Sequence, residues 1–383
     1  MATNVYGNGT TTATAGANTI VHYYDRAGVN AANRVNVFGQ WADRRSMPTK
    51  YGKTFKISRF EHMYDRKLGS SDFATKGFMT ARTADEVSTA LTNAALAEGS
   101  GAVNKRSLTK VTYQTTFARY GEMIDYTDEV DIWSEDYIQV KYREELGELA
   151  NSRMEDLIQL DMLATGTVIY GGDATSKAEI GGTANVDYKV SYDIIRKAVR
   201  RLVRNRAKKN TSIVTGSTKI GTTPIAKAFY AIIGADVKAD LETLIRGTSY
   251  EKEFVYIPAH KYAGAATLAE GEVGAMHEVR FVEAESMVVY AGEGAAVEAD
   301  VNDHLANDGS NINVYPILFP TEGAFATVGL KGYDKIKFNS KSPEMVEIVN
   351  PYGTTGFFSY NFFYAGIILR EEALLKVLVA AGI

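Results

Sequence analysis

The segment Lys110-Val111-Thr112-Tyr113-Gln114-Thr115-Thr116-Phe117 puts Val111, Tyr113, Thr115 and Phe117 on one side of an extended chain and Lys110, Thr112, Gln114 and Thr116 on the other. Alternation built from β-branched and aromatic residues is the pattern of a half-buried strand. A second run of this kind, Lys53-Thr54-Phe55-Lys56-Ile57-Ser58-Arg59-Phe60, alternates through Phe55 and Ile57 but lies far upstream. Together they read as the two legs of one long hairpin. Between them, Tyr64 to Leu108 is polar and rich in Gly, Ser, Thr and Ala, with a helix expected from Asp85 to Ala97. A connection this long within a compact domain is uncommon. It reads as an arm that projects; the other reading is a small β-rich subdomain folded on itself.

Past the hairpin the apolar period changes from two to 3.6. Ser134 can cap a helix, Glu135 and Asp136 suit its positive end, and Ile138, Tyr142, Leu146, Leu149, Ala150, Met154, Leu157 and Ile158 recur at helical spacing until Gly166. A helix over 134–165 would be roughly 45 to 50 Å long at 1.5 Å per residue. Its stripe is too irregular for a heptad seam, so one helix spanning an elongated subunit is expected instead of a coiled coil.

Upstream, every residue from Gly7 to Ala17 is small or polar, with little to bury and a large backbone entropy to lose on ordering. Such a tail is held either by the next subunit of an assembly or by its own body. Ile20, Val21, Tyr23, Tyr24, Val29, Ala32, Val35, Val37, Phe38 and Trp41 then predict a helix or two, closed by Pro48 and Gly52.

Downstream of Gly171-Gly172 and Gly181-Gly182, helices and strands alternate. Tyr192 to Lys208 reads as a two-sided helix with Ile195, Ala198, Val199, Leu202 and Val203 on one face, and Arg196, Lys197, Arg200, Arg201 and Arg204 on the other. Helices are also expected at Ala235 to Arg246 and His260 to Ala269. Strands are expected at Ser212 to Val214, Phe254 to Ile257, Val279 to Glu283, Ser286 to Val289, Ile312 to Leu318 and Phe325 to Leu330. The chain closes with strands at Met345 to Val349 and Gly356 to Leu369 and a short helix at Glu371 to Leu378.

Of the 383 residues, 45% are hydrophobic and 23% charged, which excludes wholesale disorder and suits two or three compact units or one extended protomer. The absence of cysteine removes disulfides, thiolate zinc sites and a cysteine nucleophile. With 42 Lys and Arg against 46 Asp and Glu there is no global field for nucleic acid or an anionic membrane, so any such contact must be local. The longest apolar stretch, Phe357 to Leu369, is cut off by Arg370, Glu371 and Glu372, short of the ~20 residues that cross a bilayer. Met1 to Tyr6 lacks the basic start and apolar block of a secretory signal, which predicts a cytoplasmic chain.

No catalytic motif stands out. A serine between spaced glycines, as a nucleophile elbow requires, does not occur. Gly216-Ser217-Thr218-Lys219-Ile220-Gly221-Thr222-Thr223 lacks a lysine directly after its second glycine and reads as a turn before Pro224, not a phosphate loop. The five histidines, His22, His62, His260, His277 and His304, are scattered, without helical metal-site spacing. Asp300-Val301-Asn302-Asp303 and Asn307-Asp308-Gly309 lack the ligand alternation of a calcium hand and read as solvated loop tips. No cofactor or metal is expected. Glu270, Glu272 and His277 could perform proton transfer only by converging on a pocket, which is the α/β hydrolase alternative. The basic helix face could neutralise phosphates without reading sequence; a solvated face is the plainer reading.

Three stretches carry a resemblance. Leu96-Ala97-Glu98-Gly99 leads through Leu108-Thr109-Lys110-Val111 to Phe117-Ala118-Arg119-Tyr120-Gly121 and Tyr126-Thr127-Asp128. Gly271-Glu272-Val273-Gly274 precedes Val279-Arg280-Phe281-Val282-Glu283. Pro351-Tyr352-Gly353-Thr354-Thr355-Gly356 runs into Ile367-Ile368-Leu369-Arg370-Glu371-Glu372. In this order they resemble the major capsid proteins of short-tailed phages of the kind with a large virion RNA polymerase. The matches span most of residues 96 to 383, and Tyr64 to Ala90 departs from the pattern as an insertion.

The resemblance implies an α+β chain with the tailed-phage capsid fold, shared with encapsulins and the herpesvirus capsid floor. It divides the chain into an N-terminal arm and helix (1–49) and an extended loop (50–128, insertion about 64–95). A peripheral domain (129–185 and 336–383, with spine helix 134–165 and a β-sheet) and a mixed α/β axial domain (186–335) follow. The implied function is structural: pentamers and hexamers of an icosahedral shell around the double-stranded DNA of a phage, assembled in the bacterial cytoplasm. Scaffolding, portal and decoration proteins are the expected partners, with non-specific contact to packaged DNA and no membrane. Inter-subunit contacts are expected at Asn4, Tyr6, Phe55, Ile57, Val111, Tyr113 and Phe117, and a DNA-facing or solvated basic face at Arg196, Lys197, Arg200, Arg201 and Arg204. An encapsulin-like cellular shell is the alternative with the same fold.

Overall fold

A computed structural model of the chain describes residues 36–60, 79–96, 98–99, 104–105, 107–133, 138–183, 186–210, 227–244, 269, 271–297, 304–306, 309–346 and 350–382. Several expectations lie outside these residues. They are the arm with Asn4 and Tyr6, the helix start at Ser134 to Asp136, the strands Ser212 to Val214 and Phe254 to Ile257, and the glycine-bearing turn at 216–223. Nearly all of the helix His260 to Ala269, together with Glu270 and the acidic tip 300–303, lies outside as well.

A 3-10 turn at Phe38–Trp41 precedes β1 (Asp43–Met47) and β2 (Thr54–Phe60). Helix α1 (Ala84–Ala94) opens with a capping box, the Thr83 hydroxyl accepting from Glu86 N and the Glu86 carboxylate from Thr83 N. Strands β3 (Lys110–Thr116) and β4 (Ala118–Thr127) lead to a short helix α2 (Asp128–Trp133) and the long α3 (Ile138–Leu163). Then come β5 (Val168–Tyr170), α4 (Tyr192–Arg204), β6 (Phe229–Ile233) and α5 (Ala235–Thr243). The remainder is β: β7 (Glu272–Met276), β8 (Val279–Glu283), β9 (Tyr315–Phe319), β10 (Phe325–Leu330), β11 (Lys337–Lys341), β12 (Thr355–Tyr364), β13 (Gly366–Ile368) and β14 (Leu375–Val379).

The spine is α3. Its 26 residues make a rod of about 39 Å; residues 134–137 of the 134–165 reading lie outside the described residues, and the helix ends two residues before its expected close. Leu146, Ala150, Ile158, Met162 and Leu163 are buried along it, whereas Leu149, Met154 and Leu157 are only partly so. At its C-terminal end Lys376 donates from Nζ to Leu163 O at 2.8 Å, a cation where the helix dipole favours one.

Three sheets share a core with this rod, one of them the three-stranded β1-β10-β13. In another, order β11-β12-β4 and antiparallel throughout, β12 alternates strictly and buries Phe358, Tyr360, Phe362 and Tyr364. Tyr126 of β4 stacks on Phe358 at 5.3 Å in the same core as Leu146 and Ala150. The third is a mixed six-stranded sheet in the order β5-β14-β9-β6-β8-β7. One of its faces sends Tyr230, Ile232, Val282 and Leu318 into the core shared with α3. Its other face, through Phe229, Ile233, Ile317 and Val377, is covered by α4 and α5.

Four expectations need correction. The closing helix at Glu371 to Leu378 is a single 3-10 turn, Glu371–Ala373, followed by β14. Leu375, Val377, Leu378 and Val379 are buried in the interior of the larger sheet, where an apolar β-branched run packs on both faces as a strand. Ser286 to Val289 forms no strand; only Tyr290 makes a bridge, to Val314. Of the strand expected at Met345 to Val349, Met345 and Val346 are exposed and belong to no strand, and residues 347–349 lie outside the described residues. Val203 is 55% exposed, and Ile194 takes its place on the buried side of α4.

Candidate functional site

The expected hairpin forms. β2 and β3 pair antiparallel from Thr54↔Thr116 to Phe60↔Lys110, and every second residue of each strand is exposed. The other side rests on the protein's own body. Phe55, Ile57 and Tyr113 pack on a cluster of Met47, Phe117, Ala326, Val328, Ala365, Ile367 and Leu369. Phe117 is buried at the foot of the hairpin, and Val111 is half-buried opposite Arg59. Five of the seven residues expected at inter-subunit contacts therefore have intra-subunit positions, and the outward side carries Lys56, Ser58, Phe60, Lys110, Thr112 and Gln114.

A buried carboxylate holds the hairpin down. Glu372 Oε1 accepts from Arg59 Nη1 at 2.6 Å and from Arg370 Nε at 3.3 Å. The Arg59 guanidinium also lies 5.6 Å from the centre of the Tyr113 ring. The same locus receives the middle of the long connection, just before α1. Asn205, at the end of α4, accepts from Met79 N through Oδ1 (3.0 Å) and donates through Nδ2 to Glu372 O (2.9 Å). Strand β2 and the end of α4 thus meet at one residue of the 3-10 turn, and Asn205 ties the middle of the connection to it. The sequence signal for it was an acid ending an apolar run, which reads equally well as a surface residue.

A second buried carboxylate anchors the start of the described chain. Glu155, on α3, accepts from Phe38 N and from Gly39 N, the latter at 3.1 Å. Backbone donors at the first residues of a short helical turn have no partner within the turn, so a carboxylate there satisfies them.

Elsewhere large apolar side chains face outward: Trp133 is 82% exposed and Tyr352 88%, with Ile132, Met123, Phe338 and Val346 also open. β11 forms one edge of its three-stranded sheet.

The basic helix is as two-sided as expected. Ile194, Ile195, Ala198, Val199 and Leu202 are buried. Arg196 pairs with Asp193 at 3.6 Å, and Arg201 donates from Nη1 to Val168 O at 2.6 Å. Burial pushes the Arg201 pKa down.

Of the proton-transfer trio, Glu270 lies outside the described residues, and the other two do not converge. Glu272 is wholly enclosed and held by Arg280, Nε to Oε1 at 2.5 Å and Nη2 to Oε2 at 2.8 Å. His277 lies at the far end of β7, in the turn to β8. Among the described residues no group of acids and histidines could hold a metal ion, and no helix is long and apolar enough to cross a membrane.

No known protein-family profile matches the chain. Among characterised proteins, the major capsid protein of Pseudomonas phage KPP21 is 29% identical over 380 residues, covering 94% of this chain and 93% of that one. Among solved structures, the capsid of Ralstonia phage GP4 aligns with a TM-score of 0.60 at 12% identity over 95% of this chain and 96% of that one. The acid-stable capsid of Helicobacter pylori bacteriophage KHP30 aligns with 0.57 at 10% identity over 96% and 97%. The cyanophage Pam1 capsid aligns with 0.56 at 11% over 98% and 100%.

Proposed function

We infer that this chain, a homologue of a phage major capsid protein with the tailed-phage capsid fold, is itself the repeated structural subunit of a phage shell. The observation that carries the reading is the end-to-end match to the KPP21 protein, 94% of one chain on 93% of the other. It leaves no room for a grafted catalytic domain in the matched length. The role is to associate with copies of itself, and the expected location is the virion capsid.

The mechanism is assembly. A subunit with a hairpin seated on its own body and bulky apolar groups facing water gains burial by leaning on neighbours. Heterologous contacts that close into rings, and rings into a shell, build a container from one chain. Each contact need only be modest, because many act together and effective concentration in the lattice is high. We place pentamers and hexamers in that lattice, double-stranded DNA inside it, scaffolding, portal and decoration proteins as partners, and assembly in the bacterial cytoplasm. The proposed division is arm 1–49, extended loop 50–128, peripheral domain 129–185 with 336–383, and axial domain 186–335. Asn4 and Tyr6 are proposed to reach a neighbour, and Phe55, Ile57, Val111, Tyr113 and Phe117 to support the hairpin from beneath. Its outward side is then the part free to meet another copy.

Electron microscopy of the expressed full chain tests this reading. Closed isometric particles are expected, and removal of Met1 to Ala17 should leave folded subunits that close few shells. Dispersed single subunits under all assembly conditions would overturn the reading, and normal shells from the deletion would remove the arm's role.

A further inference from the structure

We propose that the outer face of α4, with the edge of β5, is a phosphate-binding site for the backbone of double-stranded DNA. This deepens the shell reading and rests on it for the DNA's presence. Lys197, Arg200, Arg201 and Arg204 converge with Ile169 around a cavity of about 190 Å³. That is room for roughly six water molecules at ~30 Å³ each, enough for a tetrahedral oxyanion with part of its hydration. Among the described residues, four cationic side chains and one apolar floor residue line it, and no carboxylate does.

The site is built by the packing around it. The inner side of α4 is fixed on the six-stranded sheet by Ile195, Ala198 and Leu202, so the other side must face away from the core. Arg201 is braced by its bond to Val168 O, which sets one guanidinium at the rim without spending a side-chain rotamer on capture. The sole carboxylate of α4, Asp193, lies at the first turn and pairs with Arg196, away from the cavity.

Helix-dipole compensation explains part of this. Arg201 and Arg204 occupy the last turn, where cations are favoured by about 0.3–1 kcal/mol each. It does not explain Lys197 and Arg200, which precede that last turn and line the same cavity. From Lys197 to Arg204 the helix advances about 10 Å at 1.5 Å per residue, comparable to three phosphate-to-phosphate steps of ~3.4 Å along one strand's axis. The chemistry is geometric and charge-based, with no aromatic side chain among the described lining residues to stack a base. The contact is therefore blind to sequence and sensitive to salt.

The test is fluorescence anisotropy of a short DNA duplex with the purified unassembled chain, across 50–200 mM salt. Lys197, Arg200 and Arg204 are replaced together by Gln, Arg201 being left because it braces β5. A charge-matched control carries Lys331→Gln, Lys335→Gln and Lys337→Gln on an exposed segment. The α4 triple should flatten the slope of log affinity against log salt by up to about 2.7, at ~0.9 per lost phosphate contact, and the control should not. Equal effects from the two triples, or an unchanged slope in the α4 triple, would overturn the site. So would poly-glutamate binding as tightly as DNA with the same loss in the variant, which would reassign the face to an acidic protein. Thermal melting checks that the triple folds, and Arg200→Gln alone repeats the measurement if it does not. Shells seen by microscopy without α4-dependent DNA binding would sink this proposal alone, whereas absence of shells would sink the reading beneath it.

Discussion

Replacing Glu372 by Gln keeps the size of the side chain and removes the charge that Arg59 and Arg370 share. The Glu372 side chain is 4% exposed, and those of the two arginines are 26% and 28% exposed. Breaking a fully buried pair costs about 3–5 kcal/mol, and a hydrogen bond to a charged group contributes about 1.5–3. Partial solvent access to both arginines lowers the expectation to about 2–3 kcal/mol. The loss should fall on the hairpin rather than the whole fold, because Arg59 belongs to β2 while the cores around α3 and the six-stranded sheet do not involve it. Hydrogen exchange should therefore accelerate roughly 30- to 140-fold at the amides of β2 and β3, at tenfold per 1.4 kcal/mol. The amides of β9 and β14 should change little. Unchanged exchange in β2 and β3, or a uniform rise over the chain, would refute the idea that one carboxylate latches the hairpin.

Glu155→Gln should free the turn at Phe38–Trp41, seen as faster proteolysis near residue 40, with global stability lowered by about 1–3 kcal/mol for two weakened buried bonds; no change in cleavage would contradict the anchor. Leu146→Ala empties a wholly buried position between α3 and the β12 sheet and should cost about 2–5 kcal/mol in urea unfolding. Exposed Val140→Ala, on the same helix, should cost under about 0.5 kcal/mol. Asp161 is raised above its usual 3.8, first by burial, against the lowering effect of the Tyr364 hydroxyl that donates to it at 2.8 Å. Its contribution to stability is then full below pH 3.8 and is lost as pH rises through the raised value. Asp161→Asn should accordingly gain stability relative to the native chain between acid and neutral pH; parallel stability–pH curves for the two proteins would contradict this.

The hairpin and the spine were legible because each repeats one period over many residues. β2 and β3 pair in the register their alternation requires, although they are far apart in sequence. The end of the chain was misread for a physical reason. Leu374 to Val379 carries no alternation, since both faces of β14 are covered, and an apolar run of that length fits a buried helix or a buried strand equally. The carboxylates Glu155, Glu272 and Glu372 were also illegible as anchors. Their partners lie at Phe38, Arg280 and Arg59, and no spacing rule links most of these positions. The basic face of α4 was readable as a stripe, but its convergence with Ile169 of β5 required the sheet edge to be in place.

Sedimentation velocity over a range of protein concentrations tests the central claim most directly. The account predicts that the 41.9 kDa chain gives way to discrete particles of many copies as concentration rises, with few intermediates. A single boundary at the mass of one chain at every concentration, with the outward side of the hairpin equally protected throughout, would contradict it.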